Sequence, residues 1–110
     1  MSGSSYKAGK IDNFIENNMQ ITMTLKREWF DKIKTGSKTI EYREAKHYWD
    51  IRLNKPIKSI LFRNGYSRSA PEILADVMKI ERVNGLDTDL RFDGMVYAIH
   101  LTNVRVAENA

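Results

Sequence analysis

The chain has 110 residues, a formal net charge of +4 and no cysteine. That length fits one domain with a single core, and the missing thiols exclude disulfides, thiol catalysis and thiolate zinc sites, leaving a reducing, cytoplasmic setting as the expectation. The longest apolar run, Val96 to Ile99 within Met95 to Leu101, is too short to span a bilayer, and the N-terminus lacks the apolar stretch of a signal peptide, so no membrane association is expected.

Residues 1–10, MSGSSYKAGK, have the Ser, Gly and Lys content of a flexible leader or a cloning remnant. Over residues 11–18, Ile11, Phe14 and Ile15 take helical spacing, but Asn13, Asn17 and Asn18 make that helix weak. From Gln20 the period changes. Ile21, Met23 and Leu25 alternate with Thr22 and Thr24, the signature of a half-buried strand. Arg27 to Thr35 then places Trp29, Phe30 and Ile33 on one helical face, pairs Glu28 with Lys32, and stops at Gly36 as a left-handed cap. The amphipathic spacing assigns Trp29 and Phe30 to the core.

Lys38 to Glu44 reads as a second strand, and Lys46 to Leu53 as a short helix or irregular connection ended by Asn54 and Pro56. Lys58 to Arg63 is a third strand, followed by an Asn64-Gly65 turn and an exposed loop through Pro71. Ile73 to Val83 breaks strict alternation between Asp76 and Lys79, which predicts a bulge. After an acidic loop with Asp87, Asp89 and Asp93, a last strand runs from Met95 to Val106 with a register change near Thr102-Asn103. This element order predicts an α+β fold with a curved or closed sheet of roughly five strands and two short helices.

Charge is unevenly spread. Residues 26–68 carry 12 basic and 5 acidic side chains, whereas residues 69–110 carry 4 and 7. A positive field raises the local concentration of phosphate-bearing ligands, although a solvated basic face also serves solubility alone. Within the basic region, Gly36-Ser37-Lys38-Thr39-Ile40-Glu41-Tyr42-Arg43 groups a lysine, a carboxylate and an arginine at the opening of a strand. Regular alternation would send Glu41 and Arg43 to one face and Lys38 to the other. If Lys38 instead precedes the pairing, its stem reaches around to the Glu41 side. An adjacent carboxylate favours the charged form of Lys38, and with it a binding role over a nucleophilic one. The alternative is a surface ion pair of under about 1 kcal/mol.

Arg63-Asn64-Gly65-Tyr66-Ser67-Arg68 interleaves two arginines, an amide and an aromatic ring around a turn. Arginine holds phosphate bidentately, a tyrosine stacks on an unpaired base, and an asparagine both donates to and accepts from a base edge. A polar turn with Tyr66 packed on the sheet is the alternative. His47 and His100 have no metal-ligand spacing, and Gly-rich phosphate loops and serine elbows are absent, so no metal or cofactor is expected.

Taken together, WFDKIKTGSKTIEYR, FRNGYS and VYAIHL resemble the ASCH family, a relative of the PUA domains, over about residues 20–106. The segment FRNGYS resembles short, single-domain bacterial and phage members. The resemblance implies a PUA-like pseudo-barrel of about five or six mostly antiparallel strands with two or more short helices, occupying residues 19–107 after a leader of residues 1–18. It also implies a cleft for RNA or a modified nucleoside, with Lys38 at the cleft. One branch hydrolyses acetylcytidine with a threonine three positions after the lysine and a distant glutamate. Here Glu41 holds that position, Thr39 follows Lys38 directly, and the short loop of Asp87 and Asp89 offers no match for the glutamate.

The expected function is therefore an RNA-binding or nucleotide-binding module whose contacts are Lys38, Arg43, Lys46, Arg63, Asn64, Tyr66 and Arg68. The alternative is a metal-independent hydrolase, a ribonuclease or a modified-nucleoside amidohydrolase, with Lys38 and Glu41 as catalytic groups. A protein partner meeting the basic face is a third possibility.

Overall fold

The computed structural model describes residues 19–107. The leader and weak helix expected over residues 1–18 lie outside the described residues. Five strands and two helices follow in the order β1 (Gln20–Thr24), α1 (Arg27–Thr35), β2 (Ile40–Glu44), α2 (His47–Leu53), β3 (Ser59–Arg63), β4 (Glu72–Asn84) and β5 (Met95–Val106), with a single turn of 3₁₀ helix at Gly85–Asp87. The strands form one mixed sheet, ordered β1-β3-β4-β5-β2, curled into an open half-barrel. This is the α+β pseudo-barrel shape expected. No described helix is long and apolar enough to cross a membrane.

Among the described strands only the β1–β3 pair is parallel, and a parallel pair needs a long crossover. That crossover carries α1, β2 and α2, and β2 lands on the far side of the sheet, antiparallel to β5. Among the described residues, strands β1 and β2, adjacent in the chain, thus form the two free edges, with α1 between them in sequence. Period-two alternation buries Met23, Ile60, Phe62, Ile73, Ala75, Tyr97, Ile99 and Leu101 in one core, closed by Phe30 and Ile33 of α1 and Leu53 of α2. Gly36 adopts φ 86° and its N–H donates to Ile33 O at 3.1 Å, the left-handed stop expected.

Both predicted irregularities are present. β4 shifts register between Val77 and Lys79, and the β4–β5 pairing shifts again between Leu74 and Asp76, opposite a left-handed Asn103 at φ 52°. Asn103 Nδ2 and Arg105 Nη1 donate to the Asp76 carboxylate at 2.9 and 3.1 Å, and the asparagine bond chiefly holds that carboxyl below its ordinary range. The second strand differs from expectation at its start: pairing begins at Ile40, because Lys38 is still in the turn, its N–H donating to Lys32 O at 3.0 Å.

The candidate functional site

A cleft of about 290 Å³ opens between the two free edges of the half-barrel. Thr24, Leu25 and Lys26 at the end of β1 line one side and Glu41 to Glu44 of β2 the other, with Trp29, Lys46, Trp49 and Leu90 completing it. It continues into a pocket of about 80 Å³ bounded by Trp29, Lys38, Glu41, Tyr42, Asp89 and Leu90. Each helix is preceded by a lysine, Lys26 before α1 and Lys46 before α2, and both lysines line the cleft.

Glu41 pairs in register with the fully buried Ile99 and shares its burial, so a carboxylate stands among core side chains. Arg43, two residues along the same face, donates from Nε to Glu41 Oε2 at 2.9 Å. Lys38 Nζ lies 4.0 Å from Glu41 Oε1. Because the lysine precedes the strand, its stem escapes the alternation that would have carried it to the opposite face. Burial pushes the Glu41 carboxyl above its ordinary value of 4.5, against the opposing pull of Arg43 and Lys38.

The acidic loop supplies a residue that sequence reasoning set aside. Asp89 Oδ2 lies 3.9 Å from Lys38 Nζ. The loop is compact: Gly85 N donates to Gly94 O at 2.7 Å, Phe92 N donates to Gly85 O at 3.1 Å, and a Cβ at Gly85 would collide with the Phe92 carbonyl. Thr88, buried, donates to Gly85 O at 2.8 Å and so fixes the turn that carries Asp89 and Leu90 to the cleft.

Aromatic rings surround these charges. The Lys38 ammonium sits 5.4 Å from the Trp29 ring centre and 5.1 Å from that of Tyr42, and the Arg43 guanidinium lies 5.1 Å from the Trp49 centre. Trp29, expected in the core, packs against it with one part and presents another to the cleft; Phe30 is the core anchor. Burial, reinforced by Asp89 and Glu81, raises the Tyr42 phenol above its ordinary 10.0. Behind Trp49, Tyr97 Oη donates to Asp50 Oδ1 at 2.5 Å and ties α2 to β5, the bond that chiefly raises the Tyr97 phenol.

Lys38, Glu41, Arg43 and Lys46 of the expected site therefore share one depression. The other four do not line it. Arg63 donates from Nε to Glu72 Oε2 at 2.6 Å and from Nη2 to Ser67 O at 2.7 Å, a cross-strand pair that shapes the 64–71 loop. Asn64 Nδ2 donates to Leu25 O at 3.1 Å, tying that loop to the cleft wall. Tyr66 is 88% exposed, so it does not pack on the sheet, and Arg68 is exposed beside it. His100 is half-buried and its Nε2 lies 2.6 Å from Glu81 Oε2 across β4 and β5; His47 is exposed. Among the described residues no group of three acidic, histidine or cysteine side chains is placed to hold a metal.

The electrostatics differ from a uniformly cationic hollow. In the floor, Lys38 and Arg43 flank Glu41, and the exposed Asp89 faces Lys38 from the loop at the edge, whereas Lys26 and Lys46 at the mouth have no ion-pair partner among the described residues. A floor that offers both donors and acceptors between ring faces suits a planar, polar ligand. Unpaired cations at the rim suit an attached anion. No family model, no curated protein and no solved structure matches the chain, and the fold is PUA-like at the level of its half-barrel shape.

Proposed function

We propose that the cleft binds a single nucleobase, carried by a nucleotide or by single-stranded RNA. The observation that carries this assignment is the pairing of aromatic walls, Trp29, Tyr42 and Trp49, with a floor of hydrogen-bond donors and acceptors and two lysines at the mouth that have no ion-pair partner among the described residues. Aromatic faces accept any base by stacking, and lysines at the rim hold phosphate without regard to sequence. Tyr66 and Arg68, on the loop that Asn64 fastens to the cleft wall, take a neighbouring nucleotide when the ligand is a strand. Arg63, engaged by Glu72 and Ser67, serves the loop. Titration of labelled single-stranded RNA at several salt concentrations tests the assignment: saturable binding that weakens with salt is expected, and absence of binding at low salt removes it.

A second reading, hydrolysis, is favoured by one arrangement: Lys38 between the Glu41 and Asp89 carboxylates, with Glu41 buried and its carboxyl pushed above its ordinary range, the direction a proton-exchanging carboxyl requires. Incubation with oligonucleotides and with acetylated cytidine, beside Lys38→Ala and Glu41→Ala, separates the two. Turnover lost in both variants supports catalysis; RNA binding without turnover supports the binding module.

A further inference from the structure

Among the described residues, strand β2 is an edge strand, paired with β5 alone. Leu101 N donates to Thr39 O at 2.9 Å and Ala45 N donates to Met95 O at 2.9 Å. These register partners bracket the strand and fix its parity: Thr39, Glu41, Arg43 and Ala45 turn their peptide groups toward β5, and Ile40, Tyr42 and Glu44 turn theirs toward the free edge. The Glu44 carbonyl is taken locally, accepting from Lys46 N at 2.9 Å. Tyr42 keeps both an N–H donor and a C=O acceptor without a partner among the described residues.

That free edge faces the cleft. Glu41, Tyr42, Arg43 and Glu44 all line it, and since side chains alternate along a strand, a single depression touches four consecutive residues only by running along the strand's edge. The donor and acceptor of Tyr42 are thus presented side by side, between aromatic walls.

We infer that the main-chain N–H and C=O of Tyr42 read the ligand, pairing with an in-plane acceptor and the donor beside it on the Watson–Crick edge of an unpaired base, as one residue of an added strand would. This rests on nucleobase binding in the cleft and adds which edge is recognised. Every base offers an acceptor next to a donor there: O4 and N3–H of uracil, N3 and N4–H of cytosine, N1 and N6–H of adenine, O6 and N1–H of guanine. The ligand class is therefore a base whose pairing edge is free. A base held in a duplex, or methylated on that edge, is rejected because it leaves the Tyr42 peptide groups unpaired or meets them sterically.

The test begins with the four nucleoside monophosphates and continues with the tightest binder and its edge-methylated form, N3-methyl for a pyrimidine or N1-methyl for a purine. Methylation is expected to weaken binding at least tenfold. The Tyr42 amide is expected to exchange faster with solvent in the free protein than in the complex. Tyr42→Pro removes the outward N–H at a position where an edge strand tolerates proline, and is expected to bind roughly three- to tenfold more weakly than Tyr42→Ala, which lacks the same ring. Equal affinity for the methylated nucleotide, with Tyr42 exchange unchanged by ligand, overturns the edge-reading inference and leaves nucleobase binding standing. Failure of all four nucleotides and of single-stranded RNA to bind overturns both. The methylated ligand and the exchange measurement use the unaltered chain, so they decide the matter even where Tyr42→Pro misfolds.

Discussion

Two arginine–glutamate pairs in this half-barrel have nearly the same geometry and opposite surroundings. Arg43 Nε meets Glu41 Oε2 at 2.9 Å, and Arg63 Nε meets Glu72 Oε2 at 2.6 Å. The second pair is closed: its residues are register partners on the outer face of β3 and β4, and the guanidinium also donates from Nη2 to Ser67 O. The first pair is open. Its residues share one strand, lie on the core face, and border a cleft, and among the described residues Glu41 Oε1 is answered only by Lys38 at 4.0 Å. Ion-pair chemistry alone does not mark a site; spare hydrogen-bonding capacity beside a cavity does.

The difference is sharpest when each pair is broken. Arg43→Ala leaves a buried carboxylate without its main partner, and a loss of about 3 kcal/mol in folding stability is expected from urea unfolding at pH 7, together with weakened RNA binding. Glu72→Gln is expected to cost about 1–2 kcal/mol in the same assay, through the loosened 64–71 loop, with RNA affinity within about twofold. Equal loss of binding in both variants would erase the distinction between the pairs. Trp29→Ala, which removes a cleft wall, is expected to weaken RNA binding by about 1–3 kcal/mol, read by fluorescence anisotropy.

The Glu41 carboxyl is raised mainly by burial, so the folded chain holds that proton more tightly than the unfolded one. Below 4.5 both states are protonated and the group contributes nothing. As pH rises through 4.5 toward the raised folded value, the unfolded state releases its proton first, and stability falls. Glu41→Gln, which cannot ionise, is expected to be more stable than the parent at pH 7 while binding RNA less well; a lower urea midpoint at pH 7 contradicts this. The smallest expected effect is at the rim: Lys26→Ala and Lys46→Ala each make the salt dependence of RNA binding shallower by about 0.7 in logarithmic slope.

Much of this was legible in the sequence because it is local. Alternation in Ile21-Met23-Leu25, the stop at Gly36 and the broken period around Asp76 to Lys79 each depend on a few neighbouring residues, and each element formed where expected. The Lys38, Glu41 and Arg43 grouping was legible for the same reason. Three features were not. Asp89 reaches Lys38 through a loop whose fold depends on Gly85 and Gly94 closing on each other. Trp29 reads as core by helical spacing, and only the position of α1 near the open seam gives it a second, exposed role. Arg63 carries no local hint of Glu72, because their pairing is set by the β3–β4 register.

The chain holds two tryptophans, and both line the cleft, so intrinsic emission reports directly on its occupancy. Titration with single-stranded RNA, followed by tryptophan fluorescence and by anisotropy of the labelled strand in one sample, is the most direct measurement. Coincident curves, with emission quenched as the strand binds and restored by neither Tyr66→Ala nor Arg68→Ala, are the predicted result. Binding seen by anisotropy with tryptophan emission unchanged would place the ligand elsewhere on the molecule and contradict the account.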